Sequence, residues 1–504
     1  MSRSVAALIA LPLLVSTQAE AFCGFFVSGA EAKLYNNASQ VVLMRKGNRT
    51  VMTISNNYKG PAEDFAMVVP TPVVLQKEDV KTLPSDVFAH IDALSAPRLV
   101  EYWEQDPCYQ PKYEVMKSGA APPRPMAKRA SGARPDGDYG VKVEARFAVG
   151  EYEVVILSAK EANGLESWLK DNRYKIPAGA AGALAPYVRS QMKFFVAKVD
   201  IEKVRRDGNG LVVLSPLRFR YESQELRLPV RLGLLNAESK QDLLVYVLHP
   251  SSRFEAANYK NVFIPSNLEV LDDVRASFGP FYAQLFDETI SKAGGKAVIT
   301  EYAWQTTSCD PCPVPPLQPA DLYTLGGDVL DEGSPPPPVP TPSGPPGAPP
   351  SGKALQSRPM PMRPPGRWGG FGRFSPWVLT RLHTRYDRES LSEDLIFREA
   401  GPVVGGRSTW SGEGMELPGE VKPDATNNFQ ARYIIRHYWK GPVACSNPRF
   451  GVWGGPPDGG DKRISHAGDL ANQPRGGVKL SQVVRSALPQ LGLPGLPLPQ
   501  RKKK

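Results

Sequence analysis

Long apolar runs are missing from most of this chain. After residue 21 no stretch carries the roughly eighteen consecutive apolar residues of a membrane helix, so no transmembrane anchor is expected there. Histidine is scarce. His90, His249, His383, His437 and His466 are isolated, and no second Cys pair or His pair stands at metal-ligand spacing, so neither a metal nor another cofactor is expected. Catalytic signatures are missing too: there is no His-Glu-x-x-His helix and no Gly-x-Ser-x-Gly elbow. Gly347 to Lys353 matches Gly-x-x-x-x-Gly-Lys, but Ala354 stands where a phosphate loop needs a hydroxyl, inside a proline-rich stretch.

What is present begins with a leader. Arg3, an apolar run from Val5 to Val15, and Ala19-Glu20-Ala21 before Phe22-Cys23 have the layout of a secretory signal peptide covering residues 1–21. The expected address is therefore exported, periplasmic or at the cell surface. Cys23, Cys108, Cys309, Cys312 and Cys445 then read as disulfide candidates with one left over, and spacing alone does not give the pairing.

The formal charge of +10 is spread along the chain apart from Arg124, Lys128, Arg129 and Arg134 in one loop and Arg501–Lys504 at the end. An exported protein rarely meets nucleic acid, so the expected partners are anionic envelope components or another envelope protein. Oligomeric state is open.

Proline, at 51 residues, is the excess that shapes the architecture, pointing to short strands and turns rather than helices. The expected class is α+β: antiparallel, strand-rich sheets with a few packed helices. Boundaries follow composition: a core over 22–331 with a low-complexity loop at 117–138, a Pro-rich disordered spacer at 332–366, a C-terminal part of the same module at 367–457, and a disordered basic tail at 458–504. Strands are expected over 41–55, 65–75 and 151–157. A helix over 160–172 would place Leu165, Trp168 and Leu169 on one face, with Ser158 as N-cap, and another over 280–292 would stop at Gly294-Gly295. Residues 211–221, 226–232 and 243–249 read as an antiparallel meander.

Two stretches share an order of words. Val69-Pro70, a helix near 85–94, Glu101-Tyr102-Trp103 and Asp106-Pro107-Cys108 parallel Ile264-Pro265, a helical stretch, Glu301-Tyr302…Trp304 and Asp310-Pro311-Cys312. Two related lobes are the expectation.

Cys309-Asp310-Pro311-Cys312 is the sharpest local motif. Pro313, Pro315 and Pro316 follow it, which opposes the helix N-terminus that a reactive thiolate needs, so structural cysteines are the simpler reading. A strand over 377–386 would put Arg381, His383 and Arg385 on one face, and Arg432, Arg436 and His437 would join them if 431–439 pairs alongside. Such a stripe suits a carboxylate or phosphate ligand. A solvated face balanced by Asp387, Glu389, Glu393 and Asp394 is the simpler alternative.

Taken in order, Cys23-Gly24-Phe25-Phe26, Tyr58-Lys59-Gly60-Pro61-Ala62-Glu63-Asp64-Phe65-Ala66 running into Val68-Val69-Pro70, Leu217-Arg218-Phe219-Arg220-Tyr221, Leu228-Pro229-Val230-Arg231-Leu232, Cys309-Asp310-Pro311-Cys312 and Thr380-Arg381-Leu382-His383-Thr384-Arg385-Tyr386 resemble the bacterial exported-protein family catalogued as domain of unknown function 2330. The likeness covers nearly all of 22–457 outside the two low-complexity inserts. It carries no established activity and hence no catalytic residues. It implies that 377–457 belongs with the N-terminal blocks, and that many relatives have further cysteines near the mature N-terminus. Val27-Ser28 shows none here, so Cys23 has no assigned partner.

The function expected on these grounds is an uncharacterised exported binding or structural protein, leaning away from enzyme. The alternative is an exported enzyme, either a hydrolase using His383 with nearby acids or a thiol-disulfide redox protein using Cys309 and Cys312.

Overall fold

A computed structural model of the chain describes residues 25–26, 38–55, 66–108, 140–172, 174, 176, 179–206, 212–235, 240–330, 376–387, 389–410, 416–417, 420–459, 464–466 and 473–499. The expected leader, Cys23, the loop at 117–138 and the spacer at 332–366 lie outside them. The class is α+β, as the composition suggested.

An eleven-stranded mixed sheet forms the middle of the molecule. Its centre is Gln241–His249, parallel to Ala38–Lys46 on one side and antiparallel to Val378–Tyr386 on the other. All nine residues of that central strand are buried, because both faces of the sheet are covered. The alternation of a strand sorts them: Leu243, Val245 and Val247 enter one core, while Leu244, Tyr246 and Leu248 enter another. Val378–Tyr386 also pairs with Ala297–Gln305, so chain on both sides of residues 331–375 builds one sheet.

Across the first core lies a second, antiparallel sheet holding Ala66–Thr71, Lys193–Val199, Tyr152–Ala159 and Val141–Val149. Val41, Leu43, Met52 and Ile54 pack there against Met67, Val69, Tyr152 and Phe195. The helices Ala162–Asp171 and Ala180–Arg189 cover its outer face through Leu165, Trp168, Leu169, Leu184 and Tyr187. On the other side of the central sheet, Asp86–Ser95 buries Val87, Phe88, Ile91 and Leu94. The long helix Phe278–Lys292 sits between that sheet and a small third sheet of Leu268–Val270, Arg432–His437 and Arg98–Glu104. Ala431 joins the two sheets, donating its N–H to Glu301 at 2.8 Å and accepting from Arg98 at 3.1 Å.

Several expectations are corrected. The strand over 41–55 is a hairpin, Ala38–Lys46 and Arg49–Ile54, turned at Gly47 with φ +59°, a conformation that suits glycine. Ser158 caps nothing; it stays in the strand Tyr152–Ala159, its hydroxyl 2.6 Å from Glu144, and Glu161 precedes the helix. The meander does not form: Leu217–Glu222 pairs with Arg49–Ile54, Leu226–Leu228 with Leu395–Ala400, and Gln241–His249 with strands distant in sequence. Within the expected tail, residues 473–499 are packed, with Leu480, Val484, Leu488 and Leu491 in the core around the long helix.

The two similar stretches are built differently. Lys260–Phe263 and Ala297–Gln305 are parallel neighbours flanking the long helix, whereas Ala66–Thr71 and Arg98–Glu104 lie in separate sheets. Arg98–Glu104 runs parallel to Arg432–His437, while Ala297–Gln305 runs antiparallel to the preceding Asn428–Gln430. Their shared words are not evidence of a repeat.

Candidate functional site

The expected cationic stripe alternates as its sequence suggested, but it faces the interior. Arg381 and His383 are 0% and 1% exposed, beneath the helices Asp86–Ser95 and Phe278–Lys292. A β-bulge brings them their partner. Thr300 pairs with Leu382 and Tyr302 with Arg381, leaving Glu301 as the extra residue, and a bulge re-aims the side chain at such a position. Glu301 Oε2 accepts from Arg381 Nε at 2.6 Å, and Oε1 lies 2.6 Å from both His383 Nδ1 and the Tyr282 hydroxyl. His383 Nε2 is 3.0 Å from Asp242, and Arg381 reaches Asp92 at 2.6 Å. Arg475 closes the outer end, donating to Asp242 at 3.1 Å and Asp287 at 2.6 Å, and Arg385 meets Asp287 at 3.3 Å.

Burial alone would raise the Glu301 carboxyl, but His383 and Arg381 beside it hold it down to about 2. Burial alone would lower His383, but Glu301 and Asp242 raise it, favouring an imidazolium that donates from both nitrogens. Neither nitrogen is then available to take a proton from a substrate, and Phe286 stacks on the ring at 4.0 Å. Arg381 and His383 are thus enclosed by carboxylates and rings, and the two do not form an open face. Of the acids expected to balance the stripe, Asp387 lies near Lys240 and Asp394 faces Arg231.

Arg432, Arg436 and His437 lie in the third sheet and do not join this network. Arg432 donates to Tyr102 and Asn267, Arg436 faces Glu269 at 3.6 Å, and His437 is 2.8 Å from Glu101 while stacked on Trp103. Glu101, Asp272 and His437 bring ligand-type atoms within 4.8 Å of one another. The guanidinium of Arg275 already donates to both carboxylates there and supplies the positive charge between them.

The cysteines form Cys108–Cys445 and Cys309–Cys312. No helix starts at Cys309, as the prolines required; the next is Pro319–Leu322. Arg98 holds the Pro311 carbonyl at 2.7 Å, and Arg407 and Gln430 hold Asp310.

The position best suited to a ligand was not singled out by the sequence. A cavity of about 290 Å³ opens where the end of the helix Ala180–Arg189 meets the hairpin and the segment 221–231. Its walls are Pro70, Pro72, Pro186 and Pro229, the side chains of Met52 and Met192, and Tyr187 and Tyr221. Arg45, buried at the end of Ala38–Lys46, fixes one wall by donating to the carbonyls of Ser223 and Gln224 at 2.8 and 3.0 Å. At the cavity wall sits Asp394, 1% exposed. Its Oδ1 accepts from the Tyr187 hydroxyl at 2.7 Å and the Val230 N–H at 3.1 Å. Its Oδ2 is itself buried and has no hydrogen-bond partner among the described residues; Arg227 Nη1 lies 4.0 Å from it, and Arg231 Nε lies 3.4 Å from Oδ1. A buried carboxylate oxygen left so is costly unless something donates to it.

A model of the family described as "Uncharacterized protein conserved in bacteria (DUF2330)" matches residues 17–398, more than half of the chain. The chain belongs to the DUF2330 family. The matched span includes Asp394 and the buried network around His383 apart from Arg475. No curated protein and no solved structure matches the chain. Membership therefore brings no activity to the site, and its chemistry has to be read from the side chains.

Proposed function

We propose that this DUF2330 protein is an exported, non-enzymatic binding protein, periplasmic or at the cell surface, whose ligand enters the cavity at Asp394. One observation carries the reading: a preformed cavity of about 290 Å³ combines stiff apolar walls with the partly exposed guanidinium groups of Arg227 and Arg231. Pockets that combine rigid apolar walls with a few converging polar groups are the usual form of small-ligand sites. Export is supported by the leader-like residues 1–21 and by two disulfides, which persist in oxidising compartments. Among the described residues no helix is long and apolar enough to cross a membrane. The enzymatic alternatives are weaker, since His383 is enclosed by carboxylates and Cys309 is paired away from any helix N-terminus.

The test is a thermal-shift screen of small polar molecules on the exported protein and on Ser190→Trp, which fills the cavity from an exposed rim position. Ligands that raise the midpoint of the wild type but not of the variant support the reading. Hits that stabilise both equally would place binding elsewhere. Alkylation of Cys309 or Cys312 in the unreduced protein would restore the redox enzyme.

A further inference from the structure

We propose that the disulfide-braced segment 438–454 is a membrane-contact surface that rests on an anionic lipid bilayer. It shares no residue with the lining of the Asp394 cavity and does not depend on what binds there.

The segment mixes three chemistries. Tyr438-Trp439-Lys440-Gly441-Pro442-Val443 and Arg449-Phe450-Gly451-Val452-Trp453 interleave aromatic, aliphatic and basic residues, and 438–457 contains no acid. Packing leaves much of it outside. Every residue from Lys440 to Arg449 is exposed except Cys445. Five large apolar side chains stand exposed among the described residues: Val73, Ile201, Val443, Val452 and Leu498. Two of the five fall in this one segment, which marks a patch rather than the ordinary scatter of single residues.

This exposure is not slack. Glu104, itself buried, accepts from the Trp439 N–H at 3.0 Å and from the Gly451 N–H at 2.7 Å, drawing the two ends together. Gln105 donates its N–H to the Val452 carbonyl at 2.8 Å, and Arg449 donates its own to Pro107 at 2.8 Å. Cys445 is bonded to Cys108. All of these anchors fall on residues 104–108. Val452 and Val443, the latter two residues from Cys445, are therefore carried beside the same short stretch. A segment pinned this firmly keeps its valines in water by construction.

Shape and charge say what it meets. A projecting segment has no walls to enclose a small ligand, so it suits an extended surface. Lys440 and Arg449 make that surface cationic, and the carboxylate of Asp106 on the anchoring stretch is turned to the Cys108 N–H at 2.8 Å. At the base, Tyr438 meets Trp453 edge-on at 5.3 Å, and the Arg436 guanidinium lies over Trp453 at 4.8 Å. Tyrosine and tryptophan favour the headgroup level of a bilayer, and basic residues are drawn to anionic lipid. Aliphatic side chains enter the boundary of the acyl chains. A soluble anionic polymer would use the cations and leave the valines in water.

The experiment is flotation of the full exported protein with phosphatidylcholine vesicles, with and without phosphatidylglycerol, at low and high salt. The expected result is flotation with phosphatidylglycerol only, weakened by salt and accompanied by a blue shift of tryptophan emission. The double variant Lys440→Glu, Arg449→Glu should bind about tenfold or more weakly, and so should Val443→Asp, Val452→Asp. All four side chains are exposed, so both variants should keep the wild-type thermal midpoint, which confirms that they are folded. No flotation overturns the proposal. Flotation unchanged in both variants also overturns it and places the contact elsewhere on a chain of net charge +10. Loss in the charge variant alone, or binding of soluble polyglutamate without flotation, overturns the lipid assignment in favour of an acidic polymer.

Discussion

Glu301 is the residue on which the interior turns. It is fully buried and accepts from Arg381 and the Tyr282 hydroxyl, with the His383 ring at the same hydrogen-bonding distance. Glu301→Gln removes the anion and leaves two buried cations, a change expected to cost about 3–5 kcal/mol in chemical denaturation. A loss below about 1 kcal/mol would mean that the network is not formed. The same groups set a pH profile. The Glu301 carboxyl is depressed from 4.5 to about 2, so its contribution is present above pH 4.5 and disappears as pH falls toward 2. His383 is raised, so its contribution is full below 6.5 and disappears as pH rises through the folded-state value. Stability should therefore be greatest between pH 4.5 and 6.5, and His383→Gln should flatten the alkaline side and also shrink the acid limb, because His383 is one of the two cations that hold the Glu301 carboxyl down. Unfolding midpoints measured across pH for both proteins check this. The sequence carried a signal for these partners: Glu301 and Asp242 are carboxylates within or at the start of apolar strand runs, where burial without a cation is prohibitive. What it could not carry was the bulge that turns Glu301 toward Arg381 and His383.

Elements were legible where the signal is local. Leu165, Trp168 and Leu169 recur at helical spacing, and the helix Ala162–Asp171 buries those three. Strand pairing is not local, so 211–249 read as a meander although each strand finds its partner far along the chain. The cavity was hidden for the same reason, being assembled from segments near residues 52, 70, 187, 225 and 394. The C-terminal segment was misjudged for another reason. Its prolines and glycines outweighed four apolar residues, Leu480, Val484, Leu488 and Leu491, that complete the core beside the long helix. Truncation after residue 472 uncovers that core and removes Arg475 from Asp242 and Asp287. The truncated protein should show a clearly lower thermal midpoint and increased binding of a hydrophobic dye; an unchanged midpoint would mean that the segment does not stabilise the core. Phe286→Ala, which takes the ring off His383, should cost about 3–5 kcal/mol in the same assay.

At the scale of the molecule, the three largest sheets and their covering helices surround two different kinds of polar site. The interior network satisfies its charges internally and acts as scaffold. The Asp394 cavity instead leaves the guanidinium groups of Arg227 and Arg231 partly exposed beside its apolar walls. The disulfides act at this scale also. Cys108–Cys445 closes a separation of 337 residues, against 3 for Cys309–Cys312. In the chain-entropy account the longer closure stabilises more, so the double Ser variant of Cys108 and Cys445 should lose about 2–5 kcal/mol and that of Cys309 and Cys312 less. Equal losses in denaturant melts would contradict that ranking.

The most direct test of the central claim follows the methionine methyl groups by carbon-13 NMR while the exported protein is titrated with the small molecules that raise its thermal midpoint in the screen. Met52 and Met192 line the Asp394 cavity, whereas Met44 belongs to the core on the opposite side of the central sheet. Saturable shifts at Met52 and Met192, with Met44 unmoved and the response lost in Ser190→Trp, are the predicted result. Shifts confined to other methionines, or none at Met52 and Met192, would contradict it.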